Sequence, residues 1–147
     1  MNRILNNEAL SLIAIQSVLS SLHRLNVANT YLIAPLLFDK KIRGYLKRRT
    51  TAVLSVQELV TVKSELFIGF NDKFFDSLVI TTNAIAMGVE LNLFKLDGNH
   101  LIEVEPFSIN QEKIGSKGKD ILCASPNVAV LLSEPSDSVY SLLRLEI

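Results

Sequence analysis

Phe94-Lys95-Leu96-Asp97-Gly98-Asn99-His100-Leu101-Ile102-Glu103-Val104-Glu105-Pro106 is where the chain changes its period. Apolar and polar residues alternate on both sides of Asp97-Gly98. Asp-Gly between such runs predicts a β-hairpin whose glycine takes a positive φ. Pro106 has no N–H to give to a sheet and ends the second strand. The hairpin is placed at about residues 93–105.

The residues before it have helical spacing. Ile85, Val89 and Leu93 share one face of a helix that Thr81 or Thr82 can cap. Asn71 or Asp72 can cap a shorter helix carrying Phe75, Leu78 and Val79, and Gly69 closes the segment before that. Val53, Val56, Leu59, Val60 and Val62 predict a helix over residues 53–65. Their spacing of three and four outweighs their β-branched character. Three helical segments followed by a hairpin is the order of a winged-helix unit, here residues 53–107 with the hairpin as the wing.

Further upstream, Leu10, Ala14, Val18, Leu22 and Leu25 predict an amphipathic first helix. Asn6 or Asn7 can cap it, with Glu8 in its first turn. Asn29 or Thr30 can cap a second helix through Phe38, in which Pro35 predicts a kink or a later start. Asp39 begins a third over residues 39–47. Downstream, residues 108–113 form a polar connector and residues 114–124 a helix, which Ser125-Pro126 breaks. A short helix reaches Leu132, and Ser136 or Asp137 caps a last segment at residues 138–143. The prediction is a mainly α single domain over residues 1–147. It has an N-terminal helical part (1–50), the winged-helix-like unit and C-terminal helices (108–147).

Composition narrows the function. Of 147 residues, 48% are hydrophobic and 20% charged, which excludes a disordered chain. The single Cys123 excludes an intramolecular disulfide and a cysteine-based zinc site, and two histidines leave little for another metal. The apolar stretches 9–22 and 78–94 contain Gln16 in one and Asn83 and Glu90 in the other, and they fall short of a bilayer span. Both read as core helices, which points to a cytoplasmic protein without a membrane partner. Residues 1–50 hold eight basic residues against two acidic, a balance of +6, and the remainder carries −6. Such a dipole can orient a charged partner.

The densest feature is Lys40, Lys41, Arg43, Lys47, Arg48 and Arg49: six of the fifteen basic residues lie within ten positions. It predicts contact with a phosphate backbone or an acidic protein surface, against the plainer alternative of a solvated helix end. The helix before the hairpin contains no Lys or Arg, and reading bases normally needs such groups. Gly115-Ser116-Lys117-Gly118-Lys119 is not a phosphate-binding loop, because its glycines are three apart and Asp120 stands where Ser or Thr is required. Glu103 and Glu105 share a strand face and read as an exposed wing surface. His100 reads as a solvated turn residue, His23 as serving the end of the first helix, and Cys123 as a small core residue. No nucleophile–base pair can be named, so neither an enzyme nor a cofactor is expected.

Several stretches together are similar to one family. They are Asn7-Glu8-Ala9-Leu10, Tyr31-Leu32-Ile33-Ala34-Pro35-Leu36-Leu37-Phe38, then Arg43 and Leu46 at the expected distance. Glu65-Leu66-Phe67-Ile68-Gly69-Phe70 follows, and the helix that closes on Phe94-Lys95-Leu96-Asp97. Lys117-Gly118-Lys119 and Val139-Tyr140-Ser141-Leu142-Leu143-Arg144-Leu145 complete the pattern. In these the chain resembles the middle components of prokaryotic ABC-three-component systems, a group related to the small third subunit of Lamassu anti-phage defence. The dense basic run and the ending Leu145-Glu146-Ile147 depart from the family pattern. The resemblance implies a non-enzymatic subunit between a Rad50/SMC-like ABC ATPase and an effector, often a nuclease, in a DNA-sensing defence complex. The alternative from the residues alone is a small winged-helix DNA-binding regulator.

Overall fold

The computed structural model describes residues 3–146, with side chains from Asn7 onward. Helix α1 (Arg3–Leu22) runs almost directly into strand β1 (Arg24–Asn26). Three short helices follow: α2 (Val27–Thr30), α3 (Ile33–Leu37) and α4 (Lys40–Leu46). Next come α5 (Val56–Val62), a 3-10 turn at Ser64–Phe67, α6 (Phe70–Asp76) and α7 (Leu78–Glu90). Strands β2 (Phe94–Asp97) and β3 (His100–Glu103) precede a second 3-10 turn at Gln111–Lys113, then α8 (Gly115–Leu132) and α9 (Ser136–Leu142).

The hairpin forms where Asp97-Gly98 predicts it. Strands β2 and β3 are antiparallel with Leu96 opposite Leu101, and Gly98 has φ 61°. The hairpin is not a free wing. Strand β1 pairs with β3, Leu25 against Leu101, so the sheet order is β1-β3-β2. That third strand comes from outside residues 53–107. His23 makes the joint: its φ of 63° ends α1, and its N–H donates to Leu19 O at 2.6 Å. Its Nδ1 lies 2.8 Å from Glu103 Oε1, and Glu103 N–H donates to His23 O at 2.9 Å. Glu103, with a side chain only 16% exposed, is therefore not part of an open wing face.

Helix α1 is the centre of the molecule, packed chiefly against α7 and α8. Leu12, Ala14, Ile15, Val18 and Leu19 are buried, as are Ser11 and Ser17 beside them, so the covered face is wider than one stripe. Glu8 is buried too and accepts a hydrogen bond from Asn83 Nδ2 on α7. Buried Asn29 Nδ2 donates to Leu132 O at 3.2 Å and Glu134 O at 2.9 Å, which ties α2 to the end of α8.

Several boundaries differ from the expected ones. Asn26, not Asn29 or Thr30, caps α2, accepting from Ala28 N–H at 2.8 Å. The chain then breaks, and α3 starts two residues before Pro35, so the proline's missing N–H falls among first-turn donors that need no helical partner. Helix α6 follows Gly69, at φ 75°, and α7 begins at Leu78, ahead of Thr81. The expected break at Ser125-Pro126 is absent, and α8 continues through Pro126. Pro126 stands on the exposed side while Ile121, Ala124, Val128 and Ala129 are buried on the other, so packing holds the helix through the missing hydrogen bond. The same register turns Cys123 outward; it is exposed, not a core residue.

Candidate functional site: the basic face of α4

Helix α4 is capped by Asp39, whose side chain accepts from Ile42 N–H at 2.8 Å. Ile42 and Leu46, four residues apart, are fully buried against α8. That spacing leaves Lys40, Lys41, Lys47, Arg48 and Arg49 exposed. Arg43 goes the other way. It is 9% exposed, and its Nη1 donates to Leu37 O at 2.9 Å and Phe38 O at 3.2 Å. It closes the end of α3 and does not present its charge with the other five.

The turn that carries Arg48 and Arg49 is held at both ends. Thr51 N–H donates to Arg48 O at 3.1 Å, and Thr51 Oγ1 donates to Tyr45 O at 2.7 Å. From α8, Asn127 Nδ2 donates to Leu46 O at 2.8 Å and to Thr51 O at 3.3 Å. Leu46 O, which the Asn127 amide takes up, is one of the carbonyls at the end of α4 that have no partner within the helix.

Two lysines distant in sequence join this face. Lys63 Nζ lies 5.2 Å from the centre of the Tyr45 ring, and Arg48 Cζ lies 5.8 Å from the same ring. Lys117 Nζ, near the start of α8, is 4.9 Å from the centre of the Phe38 ring. These distances suit cation–π attraction. Burial lowers the pKa of Lys117, and the charge of Arg43 lowers it further. Sequence spacing alone signals neither lysine.

Two carboxylates temper the charge. Lys47 pairs with Asp120 at 3.2 Å, and Lys73 pairs with Asp39. Asp39, Lys40 and Lys73 stand between two open clefts. One, of about 350 Å³, is lined by Ala34, Pro35, Phe38 and Ile80; the other, of about 410 Å³, reaches Lys41, Glu65, Leu66 and Ile68. Among the described residues, no group of three or more His, Cys, Asp or Glu could hold a metal ion. What the arrangement can do is attract anions.

Asp39 has a testable consequence. Burial raises its pKa, but the Lys73 hydrogen bond, the Ile42 N–H, the Lys73 charge and the Lys41 N–H outweigh it and hold the carboxyl below the ordinary 3.8. A carboxyl depressed in the folded state stabilises above its unfolded pKa and loses that contribution as pH falls through the folded one. Denaturation followed against pH should show stability falling below about pH 4. Asp39→Asn still caps α4, so it should cost at most about 1 kcal/mol at neutral pH. Its difference from the parent should vanish in acid.

A family model described as ABC-three component (ABC-3C) system Middle Component 3 matches residues 8–147. The chain belongs to this family. No curated protein and no solved structure matches it. The matched span of this middle component takes in the whole basic face and every exposed large apolar side chain described next.

Among the described residues nine large apolar side chains are exposed; Leu54, Val62, Ile68 and Val130 are four of them, and the other five fall in two groups. Phe75 (41% exposed) and Val79 (70%) lie one helical turn apart at the junction of α6 and α7. Leu91 (61%) follows the other end of α7, beside the hairpin with its exposed Leu96 and just beyond it Val104. Val79 and Leu91 are twelve positions apart, roughly 18 Å along a helix. No helix of the described chain is long and apolar enough to cross a membrane.

Proposed function

We propose that this middle component is a non-enzymatic, cytoplasmic subunit. It joins a Rad50/SMC-like ABC ATPase to an effector, of the nuclease kind, in a DNA-sensing defence complex related to Lamassu. Membership of a three-component family supplies the other two components as partners. The observation that carries the bridging role is the pair of apolar groups at opposite ends of α7. Exposed apolar patches mark interaction sites, and a bridge needs two of them. The regulator alternative is disfavoured because α7, the helix before the hairpin, has no basic residue and buries Thr81, Ala84, Ile85 and Gly88.

The test is co-purification from cells expressing all three components. Phe75→Asp with Val79→Asp should release one partner. Leu91→Asp with Leu96→Asp should release the other. Circular dichroism of each variant confirms that it is folded. Folded variants that both lose the same partner, or lose neither, would overturn the bridge.

A further inference from the structure

We propose that the collar of Lys40, Lys41, Lys47, Arg48, Arg49, Lys63 and Lys117 binds the phosphodiester backbone of a nucleic acid without reading its sequence. This does not depend on the bridging role, because none of these residues belongs to either apolar group.

The first support is unbalanced charge. Among the described residues, Lys40, Lys41, Arg48, Arg49, Lys63 and Lys117 form no ion pair; the collar's one pair is Lys47 with Asp120. Residues from three parts of the chain converge here: α4 with its following turn, the end of α5, and the start of α8. Arg43 adds charge from beneath. Its hydrogen bonds go to neutral carbonyls, and its repulsion of Lys117 is what a bound anion would relieve.

The second support is rigidity. Asn127 and Thr51 fix the turn bearing Arg48 and Arg49, so those cations are presented from an ordered backbone. Ordering that precedes binding does not have to be supplied on binding.

The third support decides between nucleic acid and an acidic protein. Protein interfaces have a desolvated apolar centre and are depleted in lysine. The collar is mostly lysine, and the segment from Lys40 to Ala52 that carries five of its seven cations has no exposed large apolar side chain; exposed Val62 and Ile68 stand at its edge, beside Lys63 and across the cleft from Lys40 and Lys41. Its aromatic rings, Tyr45 and Phe38, are half-buried and already faced by cations. Phosphate contacts of this kind position a duplex and carry no base information.

The experiment is fluorescence anisotropy of labelled mixed-sequence DNA duplexes with the full chain over a range of salt. Binding should weaken linearly in log affinity against log salt. The combined change Lys47→Ala, Arg48→Ala and Arg49→Ala should lower the slope by about 0.9 for each phosphate that no longer meets a cation. The drop in affinity should be equal for duplexes of different sequence. Lys40→Ala with Lys41→Ala, a second set at the other end of α4, should act in the same direction. Lys95→Ala on the hairpin should change nothing, and unchanged circular dichroism excludes misfolding. No binding by the parent at low salt, an unchanged slope in both sets, or a sequence-dependent drop would overturn the proposal. So would a collar variant that binds DNA normally but drops a protein component, which would assign the collar to an acidic protein surface.

Discussion

Replacing Gly88 with alanine is expected to destabilise the protein by about 3 kcal/mol, although alanine is the better helix former. Gly88 lies near the end of α7, and the chain turns back so that Phe94, first residue of β2, covers it. A Cβ at Gly88 would stand 2.0 Å from Phe94 Cζ, 2.4 Å from Cε2 and 2.6 Å from Cε1. The ring cannot swing away easily, because Phe94 is 1% exposed and enclosed by the core. The turn is also held from Gly88 itself, whose carbonyl accepts from Leu93 N–H at 2.9 Å. Either the ring leaves its rotamer or α7 separates from the sheet. Gly44, inside α4, is the control: nothing lies within 4 Å of the Cβ it would gain. Gly44→Ala should stabilise by roughly 0.5–1 kcal/mol. Chemical denaturation of the two variants should therefore move in opposite directions. Combining Gly88→Ala with Phe94→Leu should cost less than the sum of the single changes, since the smaller side chain leaves room for the methyl group. Additive costs would show that the ring is not what the glycine accommodates.

Local chemistry was the legible part of the fold. Asp97-Gly98 carries its own turn preference, Asp39 caps α4 in place, and Pro35 falls in the first turn of a helix that starts close to it. Strand β1 was not legible. Arg24-Leu25-Asn26 is too short to show a period, and it is a strand because Ile102, Leu101 and His100 lie opposite it. Helix register was equally hidden. At about 100° per residue, Cys123 can point outward between buried Ile121 and Ala124, and only the packing of α8 on α1 and α4 decides that. The basic face was visible as density in sequence, because Lys40, Lys41, Lys47, Arg48 and Arg49 are neighbours. Lys63 and Lys117 reach it only through tertiary packing around Tyr45 and Phe38. Arg43 shares the density but not the surface.

Arg43 separates structure from binding within that run. Its Nη1 holds the carbonyls of Leu37 and Phe38, and its stem is buried between α4 and its neighbours. Hydrogen bonds to charged groups contribute about 1.5–3 kcal/mol, and removing the donor leaves acceptors without a partner. Arg43→Met, which keeps length and apolar bulk, is expected to cost about 2–3 kcal/mol. Arg43→Lys should recover only part of this, since an ammonium lacks the planar fork. Arg48→Ala and Arg49→Ala, exposed on the turn, should each change stability by no more than about 0.5 kcal/mol. The charge leaves its own trace. Without Arg43 the repulsion on Lys117 is gone, so the Lys117 pKa should rise toward its ordinary value, as NMR titration of that ammonium would show. The salt slope for nucleic acid should stay as in the parent, because Arg43 does not reach the surface. If Arg43→Met instead left stability unchanged and lowered that slope, Arg43 would belong with its exposed neighbours as a phosphate contact. The closure of α3 would then rest on other groups.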